Sequence, residues 1–129
     1  MPSAPVRDAA ARIRVLNDNF RGTFVGGRVL MTASVNELPI DTRARIILAV
    51  QSFNDFSADN DPHREHDFGS FEVEGEKYFW KIDLYEDPDV KDSDGEPLVN
   101  RVLTIMLAEE SWPHRNVGLF LTEPFQPRP

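Results

Sequence analysis

Residues 70–86, SFEVEGEKYFWKIDLYE, decide the fold. From Ser70 to Glu74 the chain alternates, with Phe71 and Val73 on one side and Glu72 and Glu74 on the other. Gly75-Glu76 then reads as a turn, and KYFWKIDLYE alternates again with Tyr78, Trp80, Ile82 and Leu84 on one face. Two period-2 runs joined by a glycine-containing step are the mark of a β-hairpin with one apolar face. The other face carries Phe79, Lys81, Asp83 and Tyr85, which predicts a polar row on a wetted sheet surface, with a salt bridge across strands.

Downstream, NRVLTIMLAEE (residues 100–110) supplies a further strand with Leu103, Ile105 and Leu107 inward. The intervening Asp87–Asn100, DPDVKDSDGEPLVN, is acidic and broken by two prolines and a glycine, so it reads as an exposed loop. Upstream, apolar residues at Val6, Ala9, Ala10, Ile13, Leu16 and Phe20 follow helical spacing, with Pro5 suited to a first turn and Gly22 to a stop. Gly26-Gly27 reads as a turn into a strand from Arg28 to Val35. It lacks the lysine and following helix of a phosphate loop. A second helix opens at Pro39 or Asp41 and runs to about Phe56, its broad stripe including Ile46, Ala49, Val50 and Phe53.

The resulting order is α-β-α-β-β-β. The expected fold class is α+β, with about four mostly antiparallel strands and two helices packed on one face. Tyr78, Trp80, Ile82, Leu84, Leu103, Ile105 and Leu107 should pack against Ile13, Ile46, Val50 and Phe53. Residues 1–129 read as a single domain, with a Pro-rich C-terminal tail over 111–129 in which Phe120, Leu121 and Phe125 are candidate anchors.

Composition narrows the function classes. Hydrophobic residues at 40% and charged residues at 28% are ordinary for a globular domain. No apolar run reaches the roughly 18 residues of a membrane span, and MPSAPVRDAA lacks the apolar core of a secretory signal. Absence of cysteine removes disulfides and thiolate metal sites and favours a cytoplasmic setting. The net charge of −8 is unevenly spread: residues 1–53 hold seven arginines against four acids, and residues 54–129 hold 18 acids against seven bases. Direct nucleic-acid binding needs clustered bases, and the acidic half opposes it. Carboxylates offered to a basic protein, chiefly Asp87, Asp89, Asp92, Asp94 and Glu96, fit the charge, as does a merely solvated surface.

Between the second helix and the hairpin lies NDPHREHDFG, residues 60–69, which gathers two histidines, two aspartates and a glutamate. Three chemistries are open. His63 and His66 with Asp67, Glu65 or Asp83 could bind a divalent metal. His66 oriented by Asp67 or Glu65 could act as a general base, although no serine or cysteine stands beside it as a nucleophile. Alternatively the loop is held together by its own side chains, with Asn60, Asp61, Pro62, Phe68 and Gly69 as structural residues. The candidate catalytic set is Glu65, His66, Asp67, Lys81 and Asp83, and the candidate metal set is His66, Asp67 and His63. The triplet Asp67-Phe68-Gly69 is spelled as in protein kinases, but no other kinase element is present.

NDPxxEHDFG, FWKID and RVLTIMLA, with LNDNFRGTFVGGRVLMTASV and AVQSFNDF before them, resemble the bacterial family called domain of unknown function 3768. The likeness runs from about Leu16 to Glu110. It implies matching positions at Asn60, Asp61, Pro62, Glu65, His66, Asp67, Phe68, Gly69, Trp80, Lys81, Ile82, Asp83, Arg101 and Thr104. His63 and Arg64 depart from the aromatic and glycine common there, which moves the weight from a two-histidine site to Glu65, His66 and Asp67. The resemblance also implies a bacterial mobile-element setting beside antirestriction-type genes. Two functions follow as expectations. One is an acidic accessory protein that binds a basic partner, of antirestriction or nuclease-inhibitor type and able to mimic DNA, with no cofactor. The other is a small metal-dependent hydrolase or nuclease built on the EHD loop.

Overall fold

A computed structural model of the chain describes residues 4–110, with side chains from Ala9 onward. Pro5, Val6 and the 111–129 tail, with Phe120, Leu121 and Phe125, therefore lie outside the described side chains. The elements are α1 (Ala4–Thr23), β1 (Gly27–Met31), α2 (Ala33–Asn36), α3 (Ile40–Gln51), β2 (Phe68–Val73), β3 (Glu76–Lys91) and β4 (Pro97–Leu107), followed by a single 3-10 turn at Ala108–Glu110.

The hairpin forms as its alternation requires. Val73 pairs with Glu76, so the connection is Glu74-Gly75, one residue earlier than the expected Gly75-Glu76. Both turn residues have positive φ, 55° and 83°, which a two-residue hairpin turn needs to match strand twist. Glu74 tolerates this conformation while its carboxylate accepts hydrogen bonds from the Thr42 hydroxyl at 3.1 Å and from Arg45 at 2.6 Å. The turn is thereby tied to α3.

β4 pairs antiparallel with β3, placing Trp80 opposite Ile105 and Ile82 opposite Leu103. β1 then pairs with β4 in parallel, so the strand order is β1-β4-β3-β2 and the sheet is mixed. The fold is α+β, with two of its three strand pairings antiparallel. The strand that ends the described sheet occupies an interior position, and the first strand lies at an edge.

On the helical side of the sheet, Trp80, Leu103, Ile105, Ile46, Val50, Val35 and Phe20 are all at most 2% exposed. Burial on this scale is the main favourable term in holding the layers together. Gly69 sits opposite Trp80. A Cβ there would strike the Trp80 indole and come within 2.7 Å of the Phe53 ring, so glycine lets the indole lie across β2.

Five expectations are corrected. Leu84, expected inside, is 41% exposed because it lies beyond Phe68, where β2 begins, and level with Gly27, where β1 begins, so it sits at the margin of the sheet. On α1 the inward face carries Asn17 and Arg21, 1% and 5% exposed, while Leu16 is 48% exposed and Ile13 lies outside the core cluster. β1 ends at Met31 and α2 intervenes before Val35. α3 stops at Gln51, not Phe56, because Phe53 and Phe56 turn edge-on to Trp80 at 5.5 and 6.3 Å. Finally, Phe68 and Gly69 belong to β2 and not to the loop.

The acidic run is also not a loop. β3 continues to Lys91 and β4 begins at Pro97, with Leu84 opposite Arg101, Glu86 opposite Val99 and Asp87 opposite Leu98. Past Lys81 strand β3 has no β2 partner, and before Arg101 strand β4 has no β1 partner. A two-stranded ribbon therefore projects from the sheet for roughly 20 Å, taking about 3.3 Å per residue. On the opposite sheet face Lys81 and Asp83 pair at 3.2 Å, along one strand instead of across two, and Phe79 packs against Phe68 at 5.0 Å.

Candidate functional site

The 52–67 segment is built from short polar ties. Asn60 Oδ1 accepts the Ser57 backbone N–H at 2.8 Å while its Nδ2 donates to the Asp55 carbonyl at 3.0 Å. Such side-chain closure of a turn is what an Asn in this position does best. Asp61 is 6% exposed, and its Oδ1 accepts the His66 backbone N–H at 3.0 Å. Arg64 and His66 both hold positive φ, 59° and 55°, a strained state for residues with a Cβ.

These turns aim the His66 ring between two carboxylates. Nδ1 lies 2.8 and 3.1 Å from the two oxygens of Asp18, on α1. Nε2 lies 3.5 Å from Asp61 Oδ2, too long for a good hydrogen bond. The ring stacks on Phe56 at 3.6 Å with an interplanar angle of 3°. Position, ring plane and one nitrogen of His66 are therefore fixed together.

Behind the imidazole, α1 supplies the support. Arg21 donates to Asp18 at 3.1 Å and, from its other nitrogens, to the Val50 and Phe53 carbonyls at 3.1 and 2.9 Å. It thus ties together carbonyls at and just after the end of α3, and its guanidinium lies 4.9 Å from the Trp80 ring centre. Asn17 donates to the Glu65 carbonyl at 2.9 Å and accepts from Arg101 Nε at 2.9 Å. Burial pushes the Arg101 guanidinium below its ordinary pKa.

Each sequence-derived candidate has a definite place. Glu65 contributes its backbone carbonyl to Asn17. Asp67 has its pKa raised by burial first, with the nearby negative charges of Asp61 and Asp83 adding to it and His63 opposing. Its carbonyl accepts the Ile82 N–H at 2.9 Å, which anchors the loop to β3. Lys81 and Asp83 are engaged with each other. His63 is exposed. Asp18, Asn17, Arg21 and Phe56 were not among the candidates. The one available signal was the clustering of Asn17, Asp18 and Arg21 within one turn of Phe20.

The carboxylates flank the imidazole from opposite sides and do not converge on one point. Among the described residues, no three His, Asp or Glu side chains are grouped as a metal ion would need. The cluster supports a pinned histidine at the mouth of an open groove of about 830 Å³ that is lined by α1 and the loop.

A second candidate surface is the ribbon. Residues 84–100 carry six acids and one lysine, and Leu84, Tyr85, Val90 and Val99 are 41–55% exposed. Asp87 accepts the Asp89 N–H at 3.0 Å, and Asp92 accepts those of Asp94 and Glu96 at 2.8 and 3.0 Å. Asp89, Asp94 and Glu96 are exposed.

The family described as Protein of unknown function (DUF3768) matches residues 31–110, more than half of the chain. This chain belongs to that family. The matched span includes the loop, the whole ribbon and β1's final residue, while α1 with Asp18 and Arg21 precedes it. No curated protein and no solved structure matches the chain. Among the described residues, no helix is long and apolar enough to cross a membrane.

Proposed function

We propose that this protein is an accessory binding module whose acidic ribbon engages a basic surface on another protein. The projecting ribbon carries the proposal: six acids against Lys91, with four large apolar side chains exposed among them. Carboxylates steer a basic partner and set its orientation, while apolar contacts supply the desolvated centre that makes a complex last. A row of carboxylates on a narrow ribbon also offers such a partner what a phosphate backbone would, the arrangement of a DNA-mimicking inhibitor. A mobile-element setting of antirestriction or nuclease-inhibitor type suits this chemistry.

The test is capture on immobilised protein at about 0.05 M salt, then calorimetry with the purified captured partner. Raising salt to about 0.5 M shortens the Debye length roughly threefold and should slow encounter markedly. Replacing Asp87, Asp89, Asp92 and Asp94 with Asn should reproduce that loss with the circular dichroism unchanged, since Asn retains an acceptor for each turn hydrogen bond. Submicromolar binding of the protein alone to duplex DNA at physiological salt would refute the reading.

A further inference from the structure

The groove beside His66 is chemically unlike the ribbon. Ala10 and Ala11 of α1, Phe56 and Ala58 give it an apolar lining, and Arg14 and Arg64 bring positive charge to it. Its volume, about 830 Å³, falls in the range of small-ligand sites. Arg14 is half-buried and held by donation from one terminal nitrogen to the Arg64 carbonyl at 2.9 Å, which fixes its head group before any ligand arrives. Asp61, the one acid among the described lining residues, and Asp18 are already turned to His66 and Arg21. The positive φ of Arg64 and His66 holds both residues at the groove in a conformation that persists only where surroundings enforce it.

We propose that this groove binds an amphipathic organic anion, with its acid group held by Arg14 and Arg64 and its apolar body on Ala10, Ala11 and Phe56. Planar guanidinium groups suit a carboxylate, sulfonate or phosphate because they donate in pairs. Small alanines leave room for the body, and the Phe56 ring gives it a flat surface.

The probe is 8-anilinonaphthalene-1-sulfonate, titrated into the full chain at pH 7 and about 0.05 M salt. One saturable site should appear, with blue-shifted fluorescence. Arg64→Gln, at an exposed side chain, should weaken binding about tenfold, as expected for loss of a charged hydrogen bond, with the melting temperature unchanged. N-phenyl-1-naphthylamine, which has a similar body without the acid, should bind at least about tenfold more weakly. Ala58→Trp, at an exposed position on the rim, should block the site sterically. Equal affinity for the neutral compound, or unaltered binding by both Arg64→Gln and Ala58→Trp, would overturn the proposal. Displacement of the probe by a synthetic ribbon peptide (residues 84–100) as strong as by small carboxylates would also overturn it, since the groove would then receive a second copy of the chain.

Discussion

Asp67 is the residue whose charge is most at odds with its place. Burial and the proximity of Asp61 and Asp83 raise its pKa above the ordinary range of an aspartate. The folded chain therefore holds this proton more firmly than the unfolded chain does. Its contribution to stability is full below the unfolded value and is lost as pH rises through the higher folded one. Asp67→Asn should accordingly raise the melting temperature at pH 7, with the gain shrinking to nothing as pH falls below about 4. A gain that persists at acid pH would assign the effect to something other than the charge. The same residue shows what was legible in the sequence. The density of NDPHREHDFG located the loop, yet the closest partner of His66 proved to be Asp18, 48 positions away. Reading α1 by its apolar residues selects Leu16, which faces water, and passes over Asn17 and Arg21. These polar side chains are buried because they donate to backbone carbonyls of the loop and of the chain at the end of α3.

At the scale of elements, alternation identified β2, β3 and β4, because side chains on opposite faces of a half-buried sheet must differ in polarity. The ribbon escaped that reading for the same reason. From Glu86 to Glu96 most residues are exposed, so no alternation is imposed, and prolines and acids there resemble a loop. What holds these residues as strands is pairing with each other, an arrangement that is marginal in isolation and steadied here by the sheet from which it grows. Deleting residues 87–98 and joining Glu86 to Val99 through Asn-Gly should therefore leave the core intact. The melting temperature should shift by only a few degrees, consistent with a loss of about 1 kcal/mol or less, while partner capture disappears. A collapse of the thermal transition would show that the ribbon supports the core.

Considered as a whole, the molecule is organised around β4. It is the only described strand with neighbours on both sides that joins β1 to the hairpin. Its residues Leu103 and Ile105 are fully buried. A chain shortened to residues 1–96 should thus lack a cooperative urea transition, although the β2–β3 segment remains. Retention of a sharp transition would mean that the helices and hairpin form a stable unit without β4. The parallel pairing of β1 with β4 was invisible to local pattern, since nothing in GRVLM specifies a partner more than 70 residues away.

That pairing sets a timetable for biosynthesis. Gly27–Met31 emerges from the ribosome more than 70 residues before Arg101–Ile105, its registered partners, and waits for them. Until then the edge of β1 and the core-facing side of the hairpin lack the Leu103 and Ile105 layer that joins them. Contacts this distant in sequence slow folding and leave adhesive segments exposed meanwhile. The sheet therefore cannot close until Arg101–Ile105 has left the ribosome, and the yield in cells should depend on chaperone supply during that wait.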